Sequence, residues 1–425
     1  MHNRTGLSVS QGAALSVGAV LGTGLISLPA LAAEVAGPAS LVAWLALIVL
    51  SAPLAWTFAA LGARYPDSGG VSTYARLAFG PRVAAAVGWC FYFAVPLGAP
   101  VAAAFTGGYV ADVVGGGWTT EFVTFLAIVG TAYTMNWFGL RISGRVQLVL
   151  SASLAALLVV TVVAALPHAR WTNLEPFAPH GWSGIGAAAA ILVWGFAGWE
   201  ALSSLSAEYR NPQRDVPRAT MIAVALVGVL YLAVAAVSVL ALGPALAGSR
   251  APLADLLAIG VGGPVRIVTA VVAVVLTLGA VNAYYAGASR LGAALAAEGA
   301  LPSRVFGTQR RSMTFILAGS IVAALLRLDL NTAALLVTGC FTLVYVIGTA
   351  AALRLLPGAG QRVVAGVAFV AVVALLWLNG WPALLSLAIA AGAVVYQSVR
   401  SASSSSASAS SAPFEEPLKH PSQVG

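Results

Sequence analysis

The chain has 425 residues, of which 60% are hydrophobic and only 8% are charged. A soluble domain carries roughly 25% charged residues, so this much apolar surface cannot be hidden in an aqueous core and the bilayer must be its solvent. The formal charge of +8 would suit a nucleic-acid binder, but no basic patch is interleaved with aromatics as such a partner requires.

A membrane span needs about 20 mostly apolar residues. Twelve segments qualify, near 10–35, 38–62, 84–113, 120–139, 146–166, 183–207, 219–242, 265–296, 313–328, 332–356, 363–379 and 381–398. They predict an all-α, multi-pass membrane protein with twelve transmembrane helices. The opening MHNRTG, the apolar run after it and Ala30-Leu31-Ala32 imitate a cleavable secretory signal. That run is longer than a typical signal core and another span follows at once, so it reads as a retained first span.

Arginine placement sets the orientation. With the N-terminus in the cytoplasm, 17 of the 21 basic residues fall on the inner side. The other 4 are Arg170, Arg250, Arg266 and Arg327. This asymmetry follows the positive-inside rule and agrees with an even number of spans and two cytoplasmic termini. Cys90 and Cys340 both fall in apolar segments, which implies neither a disulfide nor a metal site. Residues 400–425, which include SASSSSASASSAP, are polar and of low complexity. They read as a disordered cytoplasmic tail behind a membrane domain of residues 1–399.

Two spans are broken by glycine. The first reads AVLGTGLISLP, with Gly22-Thr23-Gly24 at its centre. Small residues also allow close helix packing, and Gly18 with Gly22 would serve that role. The density of Gly22, Thr23 and Gly24, with Pro29 just beyond, favours real unwinding. Unwound backbone is tolerated in a membrane only where it faces protein, water or ligand. Carbonyls near Val20 and Leu21 would end the inner half-helix, and amides of Thr23, Gly24 and Leu25 would begin the outer one. The amides suit a carboxylate and the carbonyls suit an ammonium group. One zwitterion satisfies both.

The second break, Trp194-Gly195-Phe196-Ala197-Gly198-Trp199-Glu200, repeats this logic in the sixth span. Trp194, Phe196 and Trp199 bring large apolar faces, which also suit ordinary helix packing. Glu200 is the one acid deep within a span. An intramembrane acid is costly and usually functional, so Glu200 is the candidate for a proton-linked or gating role. A structural hydrogen bond to unwound backbone is the plainer reading. The breaks lie five spans apart, so the two segments cross in opposite directions. A five-span repeat would therefore be inverted, a common plan for secondary transporters with their site at paired interruptions. Repeat one would cover about 8–166 and repeat two about 183–356, with two extra helices at about 363–398.

These residues resemble the amino acid–polyamine–organocation superfamily of transporters over most of residues 8–310. The resemblance rests on LGTGLISLP, on YPDSGGVSTYARLAFGP (Tyr65 to Pro81), on FAGWEALSSLSAEYRNPQRDVPRA (Phe196 to Ala219) and on ASRLGAALAAEGALP. Within it, GTGLISLPALAAEVAG, the Pro96 and Pro100 pair and SAEYRNPQRDVPRA are most similar to the bacterial exporters of L-methionine and branched-chain amino acids. The resemblance implies a fold like the leucine transporter's, with five-plus-five inverted repeats and helices 1 and 6 discontinuous. It implies alternating access in a bacterial cytoplasmic membrane. It carries the carboxylate site onto Gly22, Thr23 and Gly24, and the ammonium site onto carbonyls near Val20 and Trp194. Aromatic gating falls on Trp194 and Phe196, with Trp199 beside the proton-sensitive acid Glu200. Some relatives place a lysine in the fifth span; this chain has none there, and Arg145 lies at the inner end, so coupling through such a lysine is excluded.

Apart from Glu200, no intramembrane charge lies near the breaks. The candidate pocket aromatics are Trp89, Tyr92 and Phe93 in the third span and Tyr284 and Tyr285 beside Asn282 in the eighth. What remains is apolar, which points to neutral hydrophobic amino acids: methionine, leucine, isoleucine and valine. Export is the leading direction; import or exchange differs in coupling and gradients rather than in fold. Protons are the candidate coupling ion, and no cofactor is implied. Glu208, Arg210, Asn211, Arg214 and Arg218 read as a cytoplasmic loop network, and Arg290, Glu298, Arg304, Arg310 and Arg311 as an inner-surface group. A membrane-embedded enzyme would need a convergent set of acids, bases, nucleophiles or metal ligands. No HExxH, G-x-S-x-G or Cys/His cluster occurs.

Overall fold

The computed structural model describes residues 7–410 apart from 22–25, 68, 139–143, 201–202, 204–205 and 263–264. Among the described residues every regular element is a helix, and the one strand-like feature is a single parallel bridge between Leu7 and Tyr209. In chain order the α-helices are α1 (Val9–Leu21), α2 (Leu28–Ala36), α3 (Ser40–Arg64), α4 (Val71–Phe79), α5 (Pro81–Val114), α6 (Trp118–Trp137), α7 (Gly144–Ala165) and α8 (Ser183–Leu192). After the second break come α9 (Pro212–Leu242), α10 (Pro252–Gly260), α11 (Val265–Ala297), a single turn at Ser303–Phe306, α12 (Gln309–Leu325), α13 (Leu330–Leu355), α14 (Ala359–Leu378) and α15 (Ala383–Ser410). A bilayer leaves backbone groups no water to bond, so spans close their hydrogen bonds internally as helices. Pro81, Pro212 and Pro252 each open a helix, where the missing N–H has no intrahelical partner to lose.

Eight stretches are long and apolar enough to cross a membrane, among the described residues. Each of the twelve segments expected from sequence contains helix, but four fall short of that mark. The first is divided between α1 and α2, and the sixth stops as an α-helix at Leu192. α6 is 20 residues long but carries Glu121, Asn136 and a run of threonines, and α12 is only 17 residues long. At the other end of the chain, α15 runs past Arg400 to Ser410, into the stretch expected to be a disordered tail. Alanine and serine carry that helix on, since nothing before Pro413 removes a backbone donor.

The helices pack as two groups. In one, α3 lies along α9, α1 packs on α9, and α8 packs on α2 and α3. In the other, α5 is surrounded by α6, α11 and α12, with α11 also on α6 and α12. α13 and α15 flank α5, and α14 lies on α13. One continuous apolar core joins the groups; α1 and α8, which lead into the two breaks, belong to the first, and the turn at Val193–Phe196 also touches α13 of the second.

Candidate functional site

The second break is the better described of the two. Below α8 the chain tightens into a 3-10 turn at Val193–Phe196, then extends at Ala197 (φ −68°, ψ 141°). Gly198 takes φ +128°, a conformation that L side chains rarely adopt. At Gly195 the demand is for space, because a Cβ there would stand 2.6 Å from Cδ1 of Leu28 at the start of α2. The second break therefore lies against the restart of the first. Gly22, Thr23 and Gly24, with Leu25, lie outside the described residues; Val20 and Leu21, which end α1, are both buried.

Tyr231 of α9 ties the breaks together. Its hydroxyl lies 2.7 Å from the Val20 carbonyl oxygen and 2.6 Å from that of Gly195. It has one proton for two acceptors. Trp44 and Phe196 hold the ring edge-on, at 5.3 and 5.2 Å between centroids. Phe196 is thus built into the wall behind the breaks.

In front of them is a cavity of about 50 Å³. Val20, Trp194 and Ala197 form its face on the breaks; Gly98, Ala99 and Ala102 of α5, Tyr284 and Tyr285 of α11, and Val337 and Phe341 of α13 close it. No charged side chain lines it, among the described residues. A second cavity of about 670 Å³ lies toward the end of the molecule opposite Leu7, lined among others by Ser27, Glu34, Phe105, Trp118, Glu121, Arg250 and Arg327. Phe105 and Trp194 meet edge-on between the two, with centroids 5.8 Å apart.

Glu200 stands deeper, with its Oε2 accepting the N–H of Gly198 at 2.9 Å and the hydroxyl proton of Tyr345 from α13. Its Oε1 is buried without a partner among the described residues. The carboxyl thus holds unwound backbone, as the plainer reading anticipates, and keeps one oxygen unused. Trp199 is fully buried, its Nε1 has no partner among the described residues, and it is not part of the cavity lining.

Of the expected pocket aromatics only Tyr284 and Tyr285 reach the cavity. Trp89 donates to the Ala300 carbonyl at 2.7 Å, and Tyr92 donates to the Ser312 carbonyl at 2.9 Å. Phe93 packs edge-on against both rings. Asn282 accepts from Nδ2 of Asn136 at 2.7 Å and fastens α11 to α6. The tyrosines that do most at the breaks, Tyr231 and Tyr345, had no place in the sequence reading. Each sits in a mostly aliphatic stretch, VLYLAV and TLVYVIG, with no local pattern that singles it out.

Several contacts tie elements together at the Leu7 end. Leu7 donates its N–H to the Glu208 carbonyl at 2.8 Å and accepts from the N–H of Arg210 at 3.3 Å. Tyr209 packs onto Gly12 so closely that no Cβ would fit. Burial and the nearby Asp215 carboxylate push its phenol up to about 12, so it remains a neutral donor. Arg76 pairs with Glu298, and Arg354 donates to the Ala78 carbonyl at 3.0 Å. Glu208 and Arg210 of the loop network and Glu298 of the inner-surface group take part in these contacts.

Among the described residues, helices that end at Leu21 and Leu192 stand beside one small cavity, and eight stretches are long and apolar enough to cross a membrane, the architecture of a multi-pass membrane protein. The sequence model described as "Amino acid permease" matches residues 7–379. The chain is 32% identical to the uncharacterized amino acid permease YecA of Bacillus subtilis, over 92% of this chain and 95% of that one. It is also 32% identical to the L-methionine/branched-chain amino acid exporter YjeH of Escherichia coli, over 91% and 94%. Identity to the branched-chain amino acid permease BcaP of Bacillus subtilis is 27%, over 52% of each chain. The chain belongs to the amino acid permease family. It is a multi-pass membrane protein of a class that carries amino acids and does not transform them.

Proposed function

We propose that this permease exports neutral hydrophobic amino acids, with methionine, leucine, isoleucine and valine as its substrates. The observation that carries the reading is the convergence of the Val20 and Gly195 carbonyls beside a cavity whose lining bears no charge. A basic or acidic side chain would need an opposite charge there, whereas an aliphatic or thioether side chain needs only apolar contact. The substrate carboxylate takes the amides of Gly22, Thr23 and Gly24. The ammonium group takes the carbonyls of Val20, Leu21, Trp194 and Gly195. The printed name of the Escherichia coli relative supports both the substrate class and the outward direction.

Alternating access accounts for the two unequal cavities. A cavity of about 50 Å³ is far below the roughly 300–1,000 Å³ of open ligand pockets, so the inner space is shut. The larger cavity is the vestibule on the outer side, and the Phe105–Trp194 contact is the partition. The packing groups, one holding α1 and α8 and the other built around α5, support a bundle that rocks against a scaffold. We keep with it the twelve-span, five-plus-five reading; the arginine asymmetry supports a cytoplasmic Leu7 end and cytoplasmic termini in a bacterial inner membrane. Glu200, with Tyr345 and Trp199 beside it, is the proton-linked element of the gate.

The test is flux of labelled methionine and leucine in proteoliposomes, with and without an imposed pH gradient. Gradient-driven flux of both supports the reading. Flux only against amino acid on the far side makes the protein an exchanger. No flux of either removes the substrate assignment.

A further inference from the structure

Ile26 is the first described residue after the first break, and it is buried. Its carbonyl has no helical donor available. Pro29 has no N–H, and Ala30 donates to Ser27 instead. A buried carbonyl without a partner is costly, and this one is satisfied from another helix. Tyr109 of α5 donates its hydroxyl proton to the Ile26 oxygen at 2.7 Å. The same hydroxyl accepts the N–H of Leu253 at 3.2 Å. Leu253 lies in the first turn of α10, where backbone donors have no intrahelical partner. One buried phenol therefore satisfies two orphaned backbone groups from distant parts of the chain.

The surroundings make this a built junction. A Cβ at Gly108 would stand 2.9 Å from the Arg250 carbonyl, so that glycine lets the approach to α10 press against α5. Both oxygens of Asp112 accept from Nη1 of Arg266 at 2.8 Å, and Nη2 of Arg266 reaches Asp255 at 3.3 Å. Ser249 donates to the other oxygen of Asp255 at 2.5 Å. Gly108, Tyr109 and Asp112 thus form one face of α5 that grips residues 249–255. Gly248, Ser249 and Arg250 line the larger cavity.

We propose that Tyr109 is a positioning residue for transport. It fixes the peptide that leaves the first break and couples it to α10, so that the break and the wall of the larger cavity move as one. The proposal rests on the reading that the 22–25 segment holds the substrate carboxylate. Occupancy of the break is then transmitted to α10 through a single hydroxyl.

The test compares the full-length protein with Tyr109→Phe in nanodiscs, by hydrogen exchange and by methionine flux after reconstitution. Peptides covering 26–31 and 249–257 should both exchange at least tenfold faster in the variant. KM for methionine should rise at least fivefold, with the maximal rate within twofold. Tyr92→Phe is the control; it removes a buried hydroxyl from the same helix at Ser312 and should leave both peptides and KM unchanged. If Tyr109→Phe does not fold, replacing Leu253 with its α-hydroxy acid removes the accepted N–H while keeping the buried side chain, and should accelerate the same two peptides. Unchanged exchange, or acceleration of one peptide alone, would overturn the tie. Paired acceleration with an unchanged KM would overturn the positioning role. If the unaltered protein carries neither methionine nor leucine, the substrate reading fails separately, and the paired exchange still decides the tie.

Discussion

The ring of Phe105 stands edge-on to that of Trp194, 5.8 Å between centroids, and separates a cavity of about 670 Å³ from one of about 50 Å³. Phe105 belongs to α5 and Trp194 to the second break, so this contact is one of those that join the two packing groups. Replacing Phe105 with alanine should merge the cavities and let bound substrate escape. We expect methionine to dissociate about tenfold faster, equivalent to about 1.4 kcal/mol, measured by wash-out of label from detergent-solubilised protein. Phe105→Leu, which still fills the gap, should stay close to the unaltered rate. Equal rates in both variants would remove the partition role.

Tyr231 offers one proton to two carbonyls. In Tyr231→Phe the Val20 and Gly195 oxygens lose their common donor, and each buried unsatisfied group costs about 1–3 kcal/mol. The ligand-free variant should melt at a lower temperature. A substrate ammonium group brings three donors and should restore much of the loss. The stabilisation produced by saturating leucine should therefore be larger in the variant than in the unaltered protein. An equal shift in both would place the ammonium elsewhere.

Gly198 holds φ +128°, and its N–H caps Glu200. Alanine there must either strain the backbone or move the N–H off the carboxyl. Strain of this kind costs on the order of 1–3 kcal/mol. Gly198→Ala should reach the membrane and lose more than tenfold in flux, judged against surface-labelled protein. Retained flux would show that the second break adapts without its glycine.

Glu200→Gln preserves shape and both hydrogen bonds, since its amide oxygen still accepts from Gly198 and Tyr345. It removes the ionisable group and places an NH2 where Oε1 is buried without a partner among the described residues, so the melting temperature is measured alongside. Flux through the variant, measured from pH 5 to 8, should lose its pH dependence. A profile that keeps its shape would make Glu200 a brace for the unwound backbone.

Much of this site is legible in the sequence because its causes are local. Glycines at 22, 24, 195 and 198 announce the interruptions, and Glu200 is conspicuous as an acid among apolar neighbours. The α5 wall is legible too, but through absence of bulk. Ala94, Gly98 and Ala102 recur at intervals of four, placing small residues on one face, whereas attention goes naturally to Trp89, Tyr92 and Phe93. Large rings fill space, and a cavity is found where they are not. Tyr109, Tyr231 and Tyr345 are illegible for a different reason. Their partners are main-chain groups or an acid brought close by tertiary packing, and no local pattern encodes such a meeting. The same holds for only one of the helices that fall short of span length. Pro29 and Gly195 mark where the first and sixth are interrupted, and Glu121, Asn136 and the threonines of α6 are legible as polar, whereas nothing local in the sequence marks the end of α12 at Leu325.

The uncharged lining of the inner cavity has an electrical consequence. A zwitterion entering it carries no net charge, and the walls contribute none to move with it. Substrate translocation alone should therefore be silent to membrane voltage. Any current must come from an accompanying ion, since each elementary charge crossing the membrane exchanges about 2.3 kcal/mol per 100 mV with the field. A recording on a supported bilayer then reads the coupling ion directly, with charge moved per methionine as its stoichiometry.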